Sequence, residues 1–357
     1  MARKTVMIMA GGTGGHIFPG LAVAREMSAR GWEVIWLGAE GGMETRLVPQ
    51  HGYAIETLKI AGMRGNGLRR WLSLPPMMLR ALLRTFGVLR RHRPALAIGF
   101  GGYTGFPGGL MAVLCGKPLV IHEQNSVAGL TNRVLSRLAR RTLFAFPSAF
   151  PCLDGMVGNP VREEIAALPG PEERFEGRQG PLRLLVVGGS LGARVFNTLL
   201  PEAIALLSEG DRPLVTHQAG AKEIGTLKEN YRAAGVDAEC LAFIDDMAAR
   251  YADADLVLCR AGALTVAELA AAGVGSILVP YPFAVDDHQT GNARYLSEAG
   301  AARLVPQHVL TAEGLASLLK STTRDECLQM ARRARLLAIP DAARRVADEC
   351  EAVTGLK

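Results

Sequence analysis

A short apolar strand, a glycine-rich turn and a helical pattern follow one another at residues 6–31, VMIMAGGTGGHIFPGLAVAREMSARG, and return at 183–210, RLLVVGGSLGARVFNTLLPEAIALLSEG. A strand running through a glycine turn into a helix begins a βα unit, and alternating strands and helices build parallel sheets covered by helices. The apolar segments VIWLG, ALAIGF, PLVIHE and TLFAF continue the first half, and PLVTHQA, DLVLCRAG and GSILVPY continue the second. LPGPEERFEGRQGP, rich in proline, glycine and charge, precedes the second turn and marks a new domain. The expected fold is α/β, with two Rossmann-like domains at 1–160 and 161–340 whose parallel sheets face across a cleft. A last helix at 341–357, opened by Pro340 and Asp341, is expected to pack back on the first domain. Open sheets of this kind bind ligands at the carboxyl ends of their strands.

In the first turn Gly11, Gly12, Gly14 and Gly15 let backbone N–H groups approach a ligand, Pro19 suits a first helical turn, and His16 stands at the turn. Free N–H groups and the helix dipole favour phosphate or sugar hydroxyls there. The dinucleotide fingerprint is absent, since G-x-G-x-x-G begun at Gly12 meets Ile17 where it needs glycine. A turn that merely packs helix on strand is the alternative, and it leaves His16 without a role. GFGGYTGFPGG at 99–109 follows another strand to the same sheet edge, and His122, Glu123, Gln124 and Asn125 come directly after a third. Loop residues there face the cleft, although Asn125 equally suits a helix N-cap.

In the second half Thr265 and Glu268 have the spacing of a capping box. The other reading is that a carboxylate one turn into such a helix accepts both hydroxyls of a ribose. Asp286, Asp287, His288, Gln289 and Asn292 form a polar run after a further strand, suited to sugar hydroxyls or to solvent. The DAD triplet at 253–255 has the spacing of a metal-holding pair, but it runs straight into LVLC and reads as a helix-to-strand junction.

Charge is divided unevenly. Residues 1–160 hold 19 Lys and Arg against 7 Asp and Glu, and 161–357 hold 21 against 27. No acid occurs from Thr57 through His122, 66 residues containing ten Lys or Arg, so this stretch should meet something anionic. At 68–93, Leu79, Leu82, Leu83 and Phe86 recur at helical spacing beside Arg80, Arg84 and Arg91. Either that stripe faces a core with the arginines solvated, or the helix lies on anionic lipid. Six scattered cysteines suggest neither zinc nor disulfides, and no run is long enough for a signal peptide or membrane span. An aromatic content of 6% and the absence of RNA or DNA motifs argue against nucleic acid as a partner.

Taken together, GGTGGHIFPGLA, GGYTGFPGG, HEQNSVAGLTN, VGNPVR, VVGGSLGAR, FIDDM, CRAGALTVAE and DDHQTGNA resemble the bacterial glycosyltransferase family that adds N-acetylglucosamine to lipid I. The resemblance spans almost the whole chain. It implies two-domain glycosyltransferase B architecture and inverting transfer from UDP-N-acetylglucosamine to the 4-hydroxyl of the muramyl residue of undecaprenyl-diphospho-muramoylpeptide, giving lipid II. For the donor it implies Ile244 beside the uracil, Glu268 on the ribose, Ser190 with Ala263, Leu264 and Thr265 at the diphosphate, and Arg162, Val266 and Ala267 in the same site. Asn125, His288 and Gln289 correspond to sugar-holding positions, and Thr13, Gly14 and Gly15 to the loop between donor and acceptor. Gly12, Gly101, Gly102 and Tyr103 would border the acceptor diphosphate.

Inverting transfer needs one general base, and His16 is the leading candidate, with a hydrogen bond to the acceptor diphosphate as its other role. Without a metal or other cofactor, which the resemblance does not call for, helix N-termini, Ser190, Thr265, Arg162 or Arg260 would meet the leaving-group charge. A polyprenyl acceptor favours the lipid reading of the basic helix, with Arg69, Arg70 and Trp71 joining it, and the cytoplasmic face of the inner membrane as the place of action. Other cell-wall synthesis proteins are further expected partners. A glycolipid synthase or a UDP-N-acetylglucosamine 2-epimerase shares the architecture, and a basic nucleotide-binding module is the alternative from a different class.

Overall fold

The computed structural model describes residues 4–60, 68–189 and 192–355, without side chains at 68–74. The chain forms two compact units, Met1–Arg162 with Pro340–Lys357, and Glu163–Ile339. Unit 1 is built on β1 (Thr5–Met9), β2 (Glu33–Ala39), β3 (Ala54–Leu58), β4 (Leu96–Gly99), β5 (Leu119–Glu123) and β6 (Arg141–Phe144). Unit 2 is built on β7 (Arg183–Val187), β8 (Leu214–Gln218), β9 (Glu239–Leu241), β10 (Leu256–Cys259), β11 (Gly275–Leu278) and β12 (Ala302–Leu304). The sheets run β3-β2-β1-β4-β5-β6 and β12-β11-β10-β7-β8-β9, with parallel pairing throughout. Each is therefore doubly wound, and strand order reverses between β1 and β4 and between β7 and β10. Loops leaving those strands diverge to opposite faces and open a crevice at the switch point.

Burial explains the run of apolar residues in the central strands. All five residues of β1 and all four of β4 are buried, because helices cover both faces of a parallel sheet. The strands β3, β9 and β12, which carry no strong apolar run, lie at sheet edges, where solvent replaces one neighbour.

The first helix, Gly14–Ala29, begins earlier than proline placement suggested, so Pro19 lies in its second turn instead of its first. The terminal helix Ala342–Ala352 packs on it, burying Val346, Ala347 and Cys350 in the same core as Ile17, Leu21 and Met27. Its polar face is fixed too. Arg30 donates to Glu351 at 2.8 Å and pairs with Asp348 at 2.8 Å, and Trp32 Nε1 donates to Glu351 at 3.0 Å.

The helix Leu68–His92 corrects the core-facing reading of its leucine stripe. The buried side is Ala81, Thr85, Val88 and Leu89, whereas Leu79 and Leu83 are 58% and 61% exposed, Phe86 is 41% exposed and Leu82 is half-buried. Residues 79 and 81 point to opposite sides because each helical step turns by about 100°. Arg80 and Arg84 are exposed, while Arg91 reaches back to Glu56 at 2.8 Å. Arg69, Arg70 and Trp71 fall within this helix, but their side chains lie outside the described residues. Among the described residues no helix is long and apolar enough to cross a membrane.

Deleting residues 340–357 should expose the apolar face that Val346 and Cys350 cover. Hydrogen exchange of Gly14–Ala29 is expected to accelerate strongly while unit 2 keeps its protection; equal protection in both forms would show that the terminal helix does not stabilise unit 1.

Candidate functional site

At the carboxyl edge of unit 1 the loops after β1 and β4 meet backbone to backbone. Gly101 and Gly102 have φ of +99° and +83°, and a Cβ on Gly102 would lie 2.5 Å from the Gly11 carbonyl oxygen. A Cβ on Gly101 would come within 3.2 Å of the His16 ring. Both glycines are therefore required by conformation and by space. His16 is in the first turn of Gly14–Ala29, not at a loop tip, and its Nδ1 lies 3.2 Å from the Gly11 carbonyl oxygen and 3.4 Å from Thr13 Oγ1. A carbonyl only accepts, so this contact places a proton on Nδ1, and in the neutral imidazole the lone pair is then on Nε2. Thr13 is the N-cap residue, with no side-chain cap, and Tyr103 is half exposed beside the turn.

Gly12 departs from expectation. Its N–H already donates to Glu44 Oε2 at 3.2 Å, while Ala39 N–H donates to Oε1 of the same group at 2.9 Å. A phosphate at Gly12 would have to displace a buried carboxyl group, so Gly12 contributes by shape. Glu44 itself escaped sequence reasoning; its only signal was an acid two residues after the Gly41–Gly42 pair.

The group at 122–125 is mostly structural, and its first two residues, His122 and Glu123, end β5 instead of following it. His122, Glu123 and Gln124 are buried instead of facing outward. His122 Nε2 donates to the Gly158 carbonyl at 2.9 Å, leaving Nδ1 to accept from Gln124 Nε2 at 2.9 Å. Glu123 accepts from the Asn125 amide, Asn125 Nδ2, Gly129 N–H and Asn132 Nδ2. Asn125 is thus oriented by Glu123 and is no N-cap, since the next helix, Leu130–Leu135, is preceded by Gly129. Arg162 stacks on Phe18 of the His16 helix, 5.6 Å from the ring centroid.

In unit 2 the turn after β7 has Gly189 and Gly192 at φ of +86° and +76°; Ser190 between them lies outside the described residues. The helix Ala263–Ala272 starts directly after the loop from β10, with Gly262 at its N-cap. That overturns the capping box, because Thr265 already lies in the first turn and no side chain caps the helix. The first amides of such a helix lack intrahelical acceptors, and here they belong to Ala263, Leu264 and Thr265. Its other end is closed by arginines: Arg174 donates to the Ala272 carbonyl at 2.8 Å and to Gly273, and Arg335 donates to Ala271. Glu268, followed along the helix from Val266 and Ala267, is buried and accepts from the Tyr251 hydroxyl at 3.4 Å.

Around this helix Asn292 is not a sugar ligand, because it is fully buried and its Nδ2 holds the Ala261 carbonyl at 3.1 Å. Arg260 is likewise engaged, donating to the Val279 and Pro280 carbonyls and to Gln307 at 2.6 Å, between Phe196 and Tyr281. Gln289 Oε1 accepts from Tyr281 N–H at 2.9 Å, and His288 Nδ1 lies 2.7 Å from the Val285 carbonyl. Asp286 and Asp287 turn the chain there at φ of +52° and +49°. Ile244 is buried next to the exposed Phe243. The DAD triplet is a helix-to-strand junction: Asp255 is buried, pairing with Arg178 at 2.6 Å and Arg324 at 3.2 Å.

Two doubly wound units, each with a glycine turn and a helix N-terminus at its switch point, are built to hold phosphorylated or hydroxyl-rich ligands. The chain matches the glycosyltransferase family 28 N-terminal domain over residues 6–144 and the family's C-terminal domain over 183–346, and it belongs to that family. It is 57% identical over 355 residues, 99% of both chains, to the UDP-N-acetylglucosamine–N-acetylmuramyl-(pentapeptide) pyrophosphoryl-undecaprenol N-acetylglucosamine transferase of Cupriavidus metallidurans. The crystal structure of Acinetobacter baumannii MurG superposes with a TM-score of 0.85 at 41% identity, covering 98% of this chain and 99% of that one. A UDP-N-acetylglucosamine 2-epimerase structure, with a TM-score of 0.64 at 15% identity over 99% of this chain and 97% of the other, shares the fold alone.

Burial lowers His122 to about 4 and His217, beside Tyr231 on β8, to about 3. Both are neutral when folded, and the unfolded chain takes up protons first as pH falls below about 6.5. Their stabilisation is therefore present above that pH and is lost between about 6.5 and 4, on the order of 3 kcal/mol per ring. Chemical denaturation at a series of pH values should show this fall, and His217→Phe should flatten it. An unchanged slope in that variant would exclude His217 as a contributor.

Proposed function

We infer that this chain is the N-acetylglucosaminyltransferase that converts lipid I to lipid II, moving N-acetylglucosamine from UDP-N-acetylglucosamine to the 4-hydroxyl of the muramyl residue. The observation that carries this is identity of 57% spread over 99% of both chains, which leaves no domain of the relative unmatched. In the inverting reaction the acceptor oxygen attacks the anomeric carbon as the bond to the UDP oxygen breaks, and the acceptor proton passes to a base. His16 fits that base, because its Nδ1–H is held by the Gly11 carbonyl and Nε2 carries the lone pair. The bare amides of Ala263, Leu264 and Thr265 suit the departing diphosphate, and Glu268 suits the ribose hydroxyls. Ser190, Ile244, Gln289, His288, Asn125, Arg162 and the Thr13–Gly15 turn are the remaining donor contacts of this reading, with Gly101, Gly102 and Tyr103 toward the acceptor diphosphate. UDP release that needs lipid-linked acceptor tests the reaction; release without acceptor would refute it. Glu268→Gln should weaken UDP-N-acetylglucosamine binding at least about tenfold with unfolding midpoint preserved, since ribose hydroxyls lose a charged acceptor. Unchanged affinity would end the ribose assignment.

The acceptor's lipid supports a membrane-contacting role for unit 1. Leu79, Leu83 and Phe86 are exposed among Arg80, Arg84 and Arg90, and Arg90 lies 5.8 Å from the Phe86 ring. The helix Gly105–Leu114 packs beside this one and Leu130–Leu135 beside that, bringing exposed Leu114, Leu130 and Leu138 with Arg133 and Arg137. The next acid after the acid-free interval, Glu123, is buried and so presents no charge to anionic headgroups. Changing Arg80 and Arg84 to glutamate should reduce sedimentation with phosphatidylglycerol vesicles and turnover of membrane-embedded acceptor, while sparing a short soluble acceptor. Binding in the native protein should weaken with salt, as screening shortens to about 8 Å at physiological ionic strength. Vesicle binding unaffected by the charge reversal would remove the lipid reading.

A further inference from the structure

We propose that Glu44 is a positioning residue for the transfer reaction, acting on His16 through the single peptide group that joins Gly11 to Gly12. The N–H of that peptide donates to Glu44 Oε2 at 3.2 Å, and its carbonyl accepts from His16 Nδ1 at 3.2 Å. Among the described residues no peptide is cis, so N–H and C=O point in opposite directions within the peptide plane, one to each partner. Carboxyl group, peptide and imidazole thus form a relay. A peptide whose N–H is held by a carboxyl group is a stronger acceptor at its carbonyl, because successive hydrogen bonds polarise one another.

The surroundings are shaped for this one side chain. Glu44 is fully buried, and its second oxygen takes the Ala39 N–H at 2.9 Å, which ties the loop after β1 to the end of β2. A Cβ at Gly38 would come within 2.7 Å of Glu44 Cγ, and Cβ atoms at Gly11 and Gly42 would overlap its carboxyl group. Three chain segments therefore forgo side chains to admit a carboxyl group where an apolar residue would leave two buried N–H groups unsatisfied. From the other side Gly102 packs against the same Gly11 carbonyl, so the peptide plane is clamped on both faces of the loop.

The inference rests on His16 as the base, and a double-mutant cycle separates the two ideas. Steady-state kinetics with UDP-N-acetylglucosamine and lipid-linked acceptor would compare the native enzyme, Glu44→Gln, Glu44→Asp, His16→Ala and the Glu44→Gln/His16→Ala pair. Glutamine keeps the shape but turns one oxygen into a donor facing an N–H, and aspartate is too short to span both. Glu44→Gln is expected to lower kcat by about 100-fold, the loss that a displacement of about 1 Å can cause, with donor KM within about threefold. Glu44→Asp should fall between it and native. On the His16→Ala background Glu44→Gln should cost less than about threefold further, since the relay then ends on nothing. UDP affinity, measured by calorimetry, should not change in either Glu44 variant. A near-native kcat for Glu44→Gln beside an inactive His16→Ala overturns the relay alone. A fully active His16→Ala overturns the base reading, and the relay with it. Multiplying losses in the double variant, or UDP binding lost together with kcat in both Glu44 variants, would make Glu44 a residue of general stability and likewise overturn the relay.

Discussion

Two backbones meet without side chains between them at the switch point of unit 1, and that rim is arranged around the meeting. Gly102 lies against the Gly11 carbonyl, and Gly101 lies against the His16 ring. Since β1 and β4 are hydrogen-bonded neighbours, the loops that leave them start side by side. Any side chain at 101 or 102 would wedge them apart and move the imidazole with them. The closeness also leaves little room for a polar group to be unsatisfied, which is why a carboxyl group from beyond β2 is brought under the loop.

Unit 2 prepares its own switch point by different means. The amide end of Ala263–Ala272 is left without a side-chain cap, while two guanidinium groups satisfy the carbonyl end. Arg174 is mostly buried, and desolvation, together with the positive charge of Arg178 and Arg335, lowers it to about 10, so it remains charged at neutral pH. Cations at the negative end of a helix oppose its dipole and hold it in place. Asn292 then pins the Ala261 carbonyl just ahead of the helix, fixing where its amides begin.

Fold class could be read from the sequence because central parallel strands are buried on both faces and show it as continuous apolar runs, as in VMIM and LVLC. Edge strands such as AIETL and ARL carry no such signature, since half their surroundings are solvent. The glycine turns and His16 were visible because φ above zero and close approach demand glycine. Periodicity left the Leu68–His92 stripe open between core and exterior, for a helix with apolar residues on two sides gives no way to choose between them. The capping box at Thr265 failed for a related reason. Spacing fixes which residues share a turn, but the position of the helix start is set by β10 and by Asn292. Glu44 was hidden because its partners are backbone groups, which leave no trace in residue types beyond the glycines that make room.

The return of Pro340–Lys357 to unit 1 makes unit 2 an insertion between the beginning and the end of its neighbour. During synthesis the first six strands leave the ribosome well before their last helix exists, and the 177 residues of Glu163–Ile339 must be made in between. At typical elongation rates that interval is roughly 10–40 s. Unit 2 is contiguous and can finish folding while its predecessor still lacks a wall of its core. The nascent first half is thus obliged to wait with Ile17, Leu21 and Met27 only partly covered, and the order of completion runs opposite to the order of translation.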